Sequence, residues 1–286
     1  MRVLELFSGL GGWRYALGDR GAVVAAYDVS EAANATYALN HGEQPQPREL
    51  AAVSVGTLAA HRADTWLLSP PCQPFCRMGN REGLGDPRCR AFRHLMDVLQ
   101  EAPPEHLVLE NVLGFLGSDA HQLLTEQLQA QGLAWLDLEA CPSAFGLPNQ
   151  RPRAYVVASR RPLVSQPIPQ RESQPLEAFL DAGEDPSLYL SPEVFARHRH
   201  GLDVVAAGDR RSTCFIGGYG RRYVGSGSFL RTPQGVRRFS PSEVARLLGL
   251  PGDLRFPEAV SLETRYRLLG NGLSQPVAAW ALAHLA

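Results

Sequence analysis

Short apolar runs alternate with helical stretches along the first 160 residues of the chain. The stretch after the second apolar run begins with Ser30, a residue typical of helix N-caps. Strands that alternate with helices pack as a mostly parallel sheet with helices on both faces, and ligands bind at the carboxyl ends of those strands. We predict strands over 2–7, 22–28, 64–69, 106–111, 133–140 and 153–159, and helices up to about residue 17 and over 30–40, 89–101 and 121–131.

The amino-acid composition of the sequence changes after about residue 160. A stretch rich in Pro and Gln over 160–175 is typical of a linker, and residues 214–231 mix Gly, aromatic residues and Arg. Helical stretches return over 240–249, 261–269 and 274–285. We therefore predict an α/β domain over 1–160, a smaller lobe over 161–239, and C-terminal helices over 240–286 that pack back on the first domain.

Charge is distributed unevenly along the 286 residues, although the formal net charge is only −1. Every basic residue is Arg, a usage that a biased genomic base composition would also give. Residues 151–246 hold 15 Arg and 9 acidic residues, a net of +6, and the remainder has a net of −7. Arg binds phosphates bidentately and stacks on bases, so this stretch favours a polyanionic partner, with a solvated polar face as the alternative.

The sequence gives no sign of a membrane or secreted protein. No apolar run of about eighteen residues occurs, so we predict no membrane span. The first residues lack a charged leader followed by an apolar run, and the number of Cys residues is odd, at 5. We therefore expect reduced thiols and a cytoplasmic location.

A Gly-rich turn follows the first predicted strand. Residues 7–12 read Phe-Ser-Gly-Leu-Gly-Gly and open a helix, a geometry that lets backbone N–H groups approach a ligand. Asp28 ends the next strand, where an acid commonly holds the ribose hydroxyls of nucleotide-type cofactors. The spacing of the glycines differs from that in NAD enzymes. The alternative interpretation of these residues is a tight turn beside a solvated Asp.

Two further strand ends carry reactive side chains. Cys72 follows the strand 64–69 in the loop Ser-Pro-Pro-Cys, whose rigid prolines suit a nucleophile. Glu110 ends the strand 106–111, and such strand ends can place a thiol and a carboxyl at one cavity for thiolate attack with protonation by the acid. The alternatives are a buried structural Cys, a salt-bridged Glu, and a metal pair with Cys76 that lacks further ligands.

Two later segments could also contribute to a site. Arg151 and Arg153 stand two apart at a strand start, so both are expected on one face. They could clamp a carboxylate, a phosphate or a base edge, or lie on the surface. Asn271 lies between two glycines before a helix, as a second loop for close backbone approach or as a plain turn.

In this order, the five segments resemble the cytosine C5-methyltransferase family. Glu-Leu-Phe-Ser-Gly-Leu-Gly-Gly is similar to its cofactor loop, Ser-Pro-Pro-Cys-Gln-Pro-Phe to its catalytic Pro-Cys motif, and Leu-Glu-Asn-Val to its Glu-Asn-Val motif. The Arg pair and Gly-Asn-Gly-Leu-Ser-Gln-Pro-Val resemble later motifs, so nearly the full chain is covered. The resemblance implies an α/β, Rossmann-like, S-adenosylmethionine-dependent methyltransferase fold, with a catalytic domain over 1–160 and a target-recognition lobe over 161–239.

Within that family, the chain is most similar to the branch that methylates tRNA. Asn149 precedes the Arg pair where DNA enzymes usually have Gln. Residues 213–228 resemble the Cys-Phe-Thr signature of the branch, with Ile216 in place of its Thr. The resemblance implies a monomeric tRNA (cytosine-5-)-methyltransferase that acts on cytosine 38 of the anticodon loop. The alternatives are a DNA cytosine-5 methyltransferase and a catalytically silent nucleic-acid-binding protein.

The resemblance also implies roles for individual residues. Cys72 would add to carbon 6 of the cytosine, Glu110 would hydrogen-bond to the ring and protonate it, and Arg153, helped by Arg151, would hold the base carbonyl. The residues implied in binding S-adenosylmethionine are Phe7, Ser8, Gly9, Gly11, Gly12, Asp28, Val29, Leu50, Ala51, Ser69, Pro70, Asn271 and Gly272. Those implied in binding the substrate are Asn149, Cys214, Phe215, Tyr219, Arg221 and Arg222, and the basic stretch 197–238 is the candidate RNA-facing surface.

Overall fold

A computed structural model describes residues 1–71 and 89–285. In chain order, its strands are β1 (Arg2–Leu6), β2 (Ala22–Tyr27), β3 (Thr65–Leu68), β4 (His106–Asn111), β5 (Ala134–Ala140), β6 (Arg153–Ser159), β7 (Asp203–Val205), β8 (Ser228–Thr232) and β9 (Gly235–Arg238). Its helices are α1 (Gly12–Leu17), α2 (Glu31–His41), α3 (Val55–Ala60), α4 (Arg90–Glu101), α5 (Asp119–Ala130), α6 (Pro192–His198), α7 (Pro241–Leu247), α8 (Leu262–Asn271) and α9 (Gln275–Leu282). Within these described ranges, no helix has the length and apolar character needed to cross a membrane.

The larger sheet has the strand order β2-β1-β3-β4-β6-β5. β1 pairs in parallel with β2 and β3, and β3 pairs in parallel with β4, whereas β6 runs antiparallel to both β4 and β5. The predicted mostly parallel sheet is therefore confirmed. Because β1 to β4 are parallel, their carboxyl ends lie along one edge, and the segments that follow them begin at that edge.

The sheet is buried because its central strands and the helices beside it are apolar. All residues of β3 and β4 are buried, as expected for parallel strands covered on both faces. Helix α4 buries Phe92, Leu95, Met96 and Leu99, which recur at the spacing of one helical face. These side chains join the strand residues Leu4, Leu6, Leu68, Leu107 and Leu109 in one hydrophobic cluster.

The chain folds into two compact units. Unit 1 comprises Met1–Ala140, Pro152–Pro167 and Val277–Ala286, and it contains the six-stranded sheet. Unit 2 comprises Cys141–Arg151 and Ile168–Pro276, and it contains the small sheet β7-β8-β9 with α6, α7 and α8. The division of the chain by function at residues 160 and 239 stays a prediction.

Unit 2 is organised around buried aromatic rings and one buried ion pair. Phe215 packs edge-on against Tyr219 and Phe239, with ring centroids 4.9 and 5.4 Å apart. Glu243 is fully buried, and both of its oxygens accept hydrogen bonds of 2.7 Å from Arg237. The carboxylate of Glu243 also accepts from the backbone N–H of the helix N-cap of α7, so the ion pair fixes the start of that helix on β9.

Candidate functional site

The turn between β1 and α1 holds residues in left-handed backbone conformations. The φ angles are +59° at Phe7, +53° at Gly9 and +80° at Gly11. Glycine adopts this region freely, but a non-glycine residue there costs about 1–3 kcal/mol and occurs mostly at functional sites. A Cβ at Gly9 would meet nothing within 4 Å, whereas one at Gly11 would lie 2.3 Å from Nε2 of His41. The turn is therefore open on one side and supported on the other.

Asp28 follows β2, and its carboxylate joins two backbone segments. The N–H of Gly9 donates to one oxygen at 2.9 Å, and the N–H of Ser30 donates to the other at 2.8 Å. A carboxylate accepts about four hydrogen bonds, so capacity remains for a pair of ligand hydroxyls. Val29 is 64% exposed, and the hydroxyl of Ser8 is buried with no hydrogen-bond partner among the described residues. Together these features fit a nucleoside bound along this edge.

A buried polar network supports the Gly-rich turn, and the sequence analysis missed it. Glu5 in β1 is fully buried and accepts from the hydroxyl of Tyr37 at 2.9 Å and from the N–H of Arg14 at 3.3 Å. Burial raises the pKa of the Glu5 carboxyl from 4.5 to about 7. The ring of His41 lies between those of Tyr15 and Tyr37, with centroids 4.5 Å from each, and burial lowers its pKa to about 4. An acid within an otherwise apolar strand was the available signal.

The base of the loop that follows β3 is held from two directions. The indole N–H of Trp13 donates to the Ser69 hydroxyl at 3.0 Å, and the side-chain amide of Asn111 donates to the carbonyl of Pro70 at 3.1 Å. The proposed nucleophile Cys72 lies outside the described residues, as does Cys76. The described structure therefore fixes where that loop starts.

Glu110 and Arg153 form an ion pair at the edge where β4 ends and β6 begins. The Nε of Arg153 lies 3.2 Å from Oε1 of Glu110, and the two side chains are only 15% and 8% exposed. The antiparallel pairing of Asn111 with Ala154 brings the two side chains together. A carboxyl and a guanidinium side by side offer an acceptor or proton donor next to fixed N–H donors.

Arg151 has a different set of partners from Arg153. Strand β6 begins at Arg153, so Arg151 lies before the strand rather than on a shared strand face. Its guanidinium donates within unit 2 to the carbonyls of Phe215, Gly270 and Gly272 and to the sulfur of Cys214. Among the described residues, the two Arg side chains therefore contact different partners.

The other residues implied in substrate binding fall into two groups. Phe215, Tyr219 and Asn149 are buried in unit 2, with exposures of 2%, 0% and 0%. The Tyr219 hydroxyl donates to the Ser228 carbonyl at 2.6 Å, so this ring packs the unit. Arg221 and Arg222 are exposed, and Cys214 is half-buried. Only the second group offers side-chain surface to a ligand in this conformation.

The remaining residues implied in cofactor binding also differ in how exposed they are. Leu50 is buried in the core cluster of unit 1, and Ala51 beside it is half-buried. Gly12 starts α1 and is buried. In unit 2, Asn271 is exposed at the end of α8, and Gly272 is half-buried.

A mostly parallel sheet with a glycine turn after β1, an acid after β2 and a carboxyl–guanidinium pair at the end of β4 is the arrangement of a Rossmann-like protein with a place for a nucleoside-type cofactor. Residues 1–192 match the C-5 cytosine-specific DNA methylase family. The chain belongs to that family, and the predicted family and fold class are confirmed. Membership implies methyl transfer dependent on S-adenosylmethionine.

Relatives match the chain from end to end. The tRNA (cytosine(38)-C(5))-methyltransferase of Schizosaccharomyces pombe is 31% identical, over 100% of this chain and 96% of its own. A DNA (cytosine-5)-methyltransferase of Dictyostelium discoideum is 27% identical, over 96% of this chain and 91% of its own. The structure of a methyltransferase of Entamoeba histolytica superposes with a TM-score of 0.94 and 25% identity, over 100% of this chain and 97% of that one.

Proposed function

We propose that this protein transfers a methyl group from S-adenosylmethionine to carbon 5 of a cytosine in tRNA, at position 38 of the anticodon loop. The observation that carries the chemistry is the Glu110–Arg153 pair at the carboxyl edge of the sheet. A protonated carboxyl complements N3 and the amino group of cytosine, and a guanidinium complements its carbonyl. The substrate named for the Schizosaccharomyces pombe relative supports tRNA, because that match spans both chains.

The cofactor is proposed to bind along the edge formed by the Gly-rich turn and the end of β2. Asp28 would hold the ribose hydroxyls, and Val29 would pack beside the adenine, where its exposed side chain is available. The turn over 7–12 would bind the methionine end, with Gly9 open to close approach. The family resemblance also assigns Leu50, Ala51, Ser69 and Pro70 of unit 1, and Asn271 and Gly272 of unit 2, to the cofactor. S-adenosylmethionine supplies a methyl group bonded to a positively charged sulfur.

The chain activates a carbon that is a poor nucleophile. In the proposed reaction, the thiolate of Cys72 forms a bond to carbon 6 while Glu110 delivers a proton to N3, and the electron pair of the 5,6 double bond becomes available at carbon 5. Arg153 holds the base carbonyl and balances the charge that develops there. After methyl transfer, which would leave S-adenosylhomocysteine, loss of the carbon 5 proton to solvent restores the 5,6 double bond and expels the thiolate of Cys72. N3 then returns its proton to Glu110, so the carboxyl is ready for the next cycle.

The tRNA is proposed to contact the basic stretch 197–238, which holds nine Arg and two Asp. Several of these guanidinium groups are exposed, including those of Arg197, Arg199 and Arg222. A cytosine in a loop leaves its stack at a lower cost than one in a duplex, which suits a short recognition lobe. In this proposal residues 1–160 hold the catalytic groups, residues 161–239 recognise the target, and the protein acts as a cytoplasmic monomer.

The proposal is tested by offering both nucleic acids to one preparation. Purified protein and labelled S-adenosylmethionine are incubated with total tRNA and with genomic DNA, and the labelled tRNA is sequenced for 5-methylcytosine. We expect label in tRNA at position 38. Label in DNA alone would overturn the choice of substrate and establish the alternative, a DNA cytosine-5 methyltransferase.

A second test addresses the covalent step. Cys72→Ala should abolish methylation while binding of S-adenosylhomocysteine stays within about twofold of the unchanged protein, because the cofactor residues are separate from the nucleophile. An RNA that carries 5-fluorocytosine should trap the unchanged protein as a stable adduct, since fluorine does not leave carbon 5 as a proton does. Turnover by the Ala variant would refute the covalent mechanism.

A further inference from the structure

Arg151 connects two segments, at 214–215 and 270–272, that lie more than fifty residues apart in the sequence. Arg151 is buried, with only 2% of its surface exposed. Both terminal nitrogens of its guanidinium donate hydrogen bonds. One nitrogen donates to the Phe215 carbonyl at 3.0 Å and to the Cys214 sulfur at 3.2 Å. The other donates to the carbonyls of Gly270 and Gly272 at 2.9 and 2.5 Å.

The two connected segments also touch each other directly through their backbones. A Cβ at Gly270 would lie 2.2 Å from both the backbone nitrogen of Gly217 and the carbonyl carbon of Ile216. A Cβ at Gly217 would lie 3.1 Å from Oδ1 of Asn271. Only glycine at position 270 permits such an approach, so the two segments lie in backbone contact where the guanidinium of Arg151 holds them.

Three carbonyl oxygens and a sulfur around one guanidinium form an arrangement that depends on Arg. The planar fork of Arg presents five N–H donors in fixed directions, whereas the ammonium of Lys is a point charge on a flexible stem. A Lys at this position would keep the charge, but it could not serve both pairs of acceptors at once. The geometry of the fork therefore sets the spacing between residues 214–217 and 270–272.

We propose that Arg151 is a positioning residue that couples the proposed cofactor loop 270–272 to the proposed target-side segment 214–217. This inference rests on the proposed function, because that function gives Asn271 to the cofactor and Cys214 to the cytosine. Arg151 acts through these two segments, and its described contacts are to them. Ordering of the 270–272 loop by cofactor is transmitted to 214–217 through the shared guanidinium, which prepares the target side before RNA arrives.

Hydrogen–deuterium exchange of the unchanged protein tests the coupling without any substitution. S-adenosylhomocysteine should slow exchange about tenfold at the amides of 214–218 as well as at those of 270–274. Protection confined to 270–274 would overturn the proposal. Because no nucleic acid is present, a failure of tRNA as substrate leaves this readout intact, and the two proposals fail separately.

The variant Arg151→Lys should break the coupling. We expect protection by S-adenosylhomocysteine to be lost at 214–218, and its dissociation constant to rise about tenfold, the effect of losing one charge-assisted hydrogen bond. Arg246→Lys is the matched control. Arg246 also ties two segments of unit 2, through the Phe179 carbonyl at 2.9 Å and Asp181 at 2.5 Å, but it lies outside the proposed site.

The two Arg variants separate a positioning role from a purely structural one. Both should lower the melting temperature, but only Arg151→Lys should change the dissociation constant and the exchange pattern. If Arg151→Lys loses stability yet binds S-adenosylhomocysteine within twofold of the unchanged protein and keeps protection at 214–218, Arg151 is merely structural. If that variant does not fold, the exchange experiment on the unchanged protein alone decides the question.

Discussion

Replacing Glu5 by Gln should change the pH dependence of the stability of unit 1. Glu5 is fully buried, and burial raises its pKa from 4.5 to about 7. Above pH 4.5 the unfolded chain releases this proton while the folded chain keeps it, so the free energy of unfolding falls as the pH rises towards 7. At about 1.4 kcal/mol per pH unit over that interval, the full loss is on the order of 3 kcal/mol.

His41, in the same network, has the opposite effect. Burial lowers the pKa of His41 from 6.5 to about 4, so the unfolded chain binds a proton in this interval and the folded chain does not. Its contribution is present above pH 6.5 and is lost as the pH falls towards 4. The ring is half-buried, so solvent screening makes this effect smaller than the pKa difference alone would suggest. Between pH 4.5 and 6.5 the two contributions oppose each other.

Replacing Glu5 and His41 one at a time should therefore separate their two effects on how the free energy of unfolding changes with pH, since these effects offset one another in the unchanged protein. In Glu5→Gln the amide imitates the protonated acid and does not titrate, so stability should rise with pH between 4.5 and 6.5 more steeply than in the unchanged protein. In the control His41→Gln the rising contribution of His41 is removed and the falling contribution of Glu5 is kept. Slopes are compared rather than absolute stabilities, because each substitution also changes contacts.

Urea unfolding followed by tryptophan fluorescence measures these slopes. The chain has 4 Trp residues, at positions 13, 66, 135 and 280, and all of them lie in unit 1, so the signal reports that unit. Titrations at half-unit steps from about pH 4.5 to 7.5 give the free energy of unfolding at each pH. Equal slopes for Glu5→Gln and the unchanged protein would refute the argument, because they would mean that Glu5 is ionised across the whole range.

Three further substitutions test the site. Glu110→Gln keeps the shape of the side chain but removes its acid, so kcat should fall about 10²–10⁴-fold in steady-state methylation assays. Gly11→Ala would place a Cβ 2.3 Å from Nε2 of His41 at a φ of +80°, and calorimetry should show at least about tenfold weaker binding of S-adenosylhomocysteine. Trp13→Phe removes the donor to Ser69, which should lower the free energy of unfolding by about 1 kcal/mol and the methylation rate several-fold.

Matched variants control for general loss of structure. Glu105→Gln breaks an exposed ion pair with Arg161 outside the site and should leave kcat unchanged, and a kcat for Glu110→Gln within about threefold of that control contradicts an acid role. Gly56→Ala adds a Cβ that meets nothing within 4 Å and should bind cofactor normally; equal affinity for Gly11→Ala would contradict the packing argument. For the Trp13 hydrogen bond, adding Ser69→Ala should bring no further loss in the free energy of unfolding, and additive losses in that free energy would show that the two side chains act independently.

Local patterns in the sequence predicted most of the secondary structure of unit 1. The predicted strand 106–111 coincides with β4, and the predicted helix 30–40 corresponds to α2, whose N-cap is Ser30. Such elements are set by apolar periodicity and capping, which act over a few residues. The antiparallel direction of β6 is a property of the whole sheet, and no local pattern in 153–159 expresses it.

Motif order predicted roles for residues at the strand ends, and the structure shows how those that it describes are held. Glu5 was missed because an acid in an apolar strand does not reveal whether Tyr37, 32 residues later, will supply its donor. The pairing of Arg153 with Glu110 was not predicted either, because it depends on the register between β4 and β6.

By itself, the sequence determined the family of this protein, the order of the strands and most of the helices of unit 1, and the position of Glu110 at a strand end. Only the tertiary structure decided that, among the described residues, Glu110 pairs with Arg153 while the carbonyls of Phe215, Gly270 and Gly272 accept from Arg151. The carbonyl of Gly270 reaches Arg151 across 119 residues of sequence, and that contact exists only because the intervening chain has folded. The spacing of apolar and capping residues in the sequence determines local secondary structure. Hydrogen bonds between distant residues depend instead on the packing of every element that lies between them in the sequence.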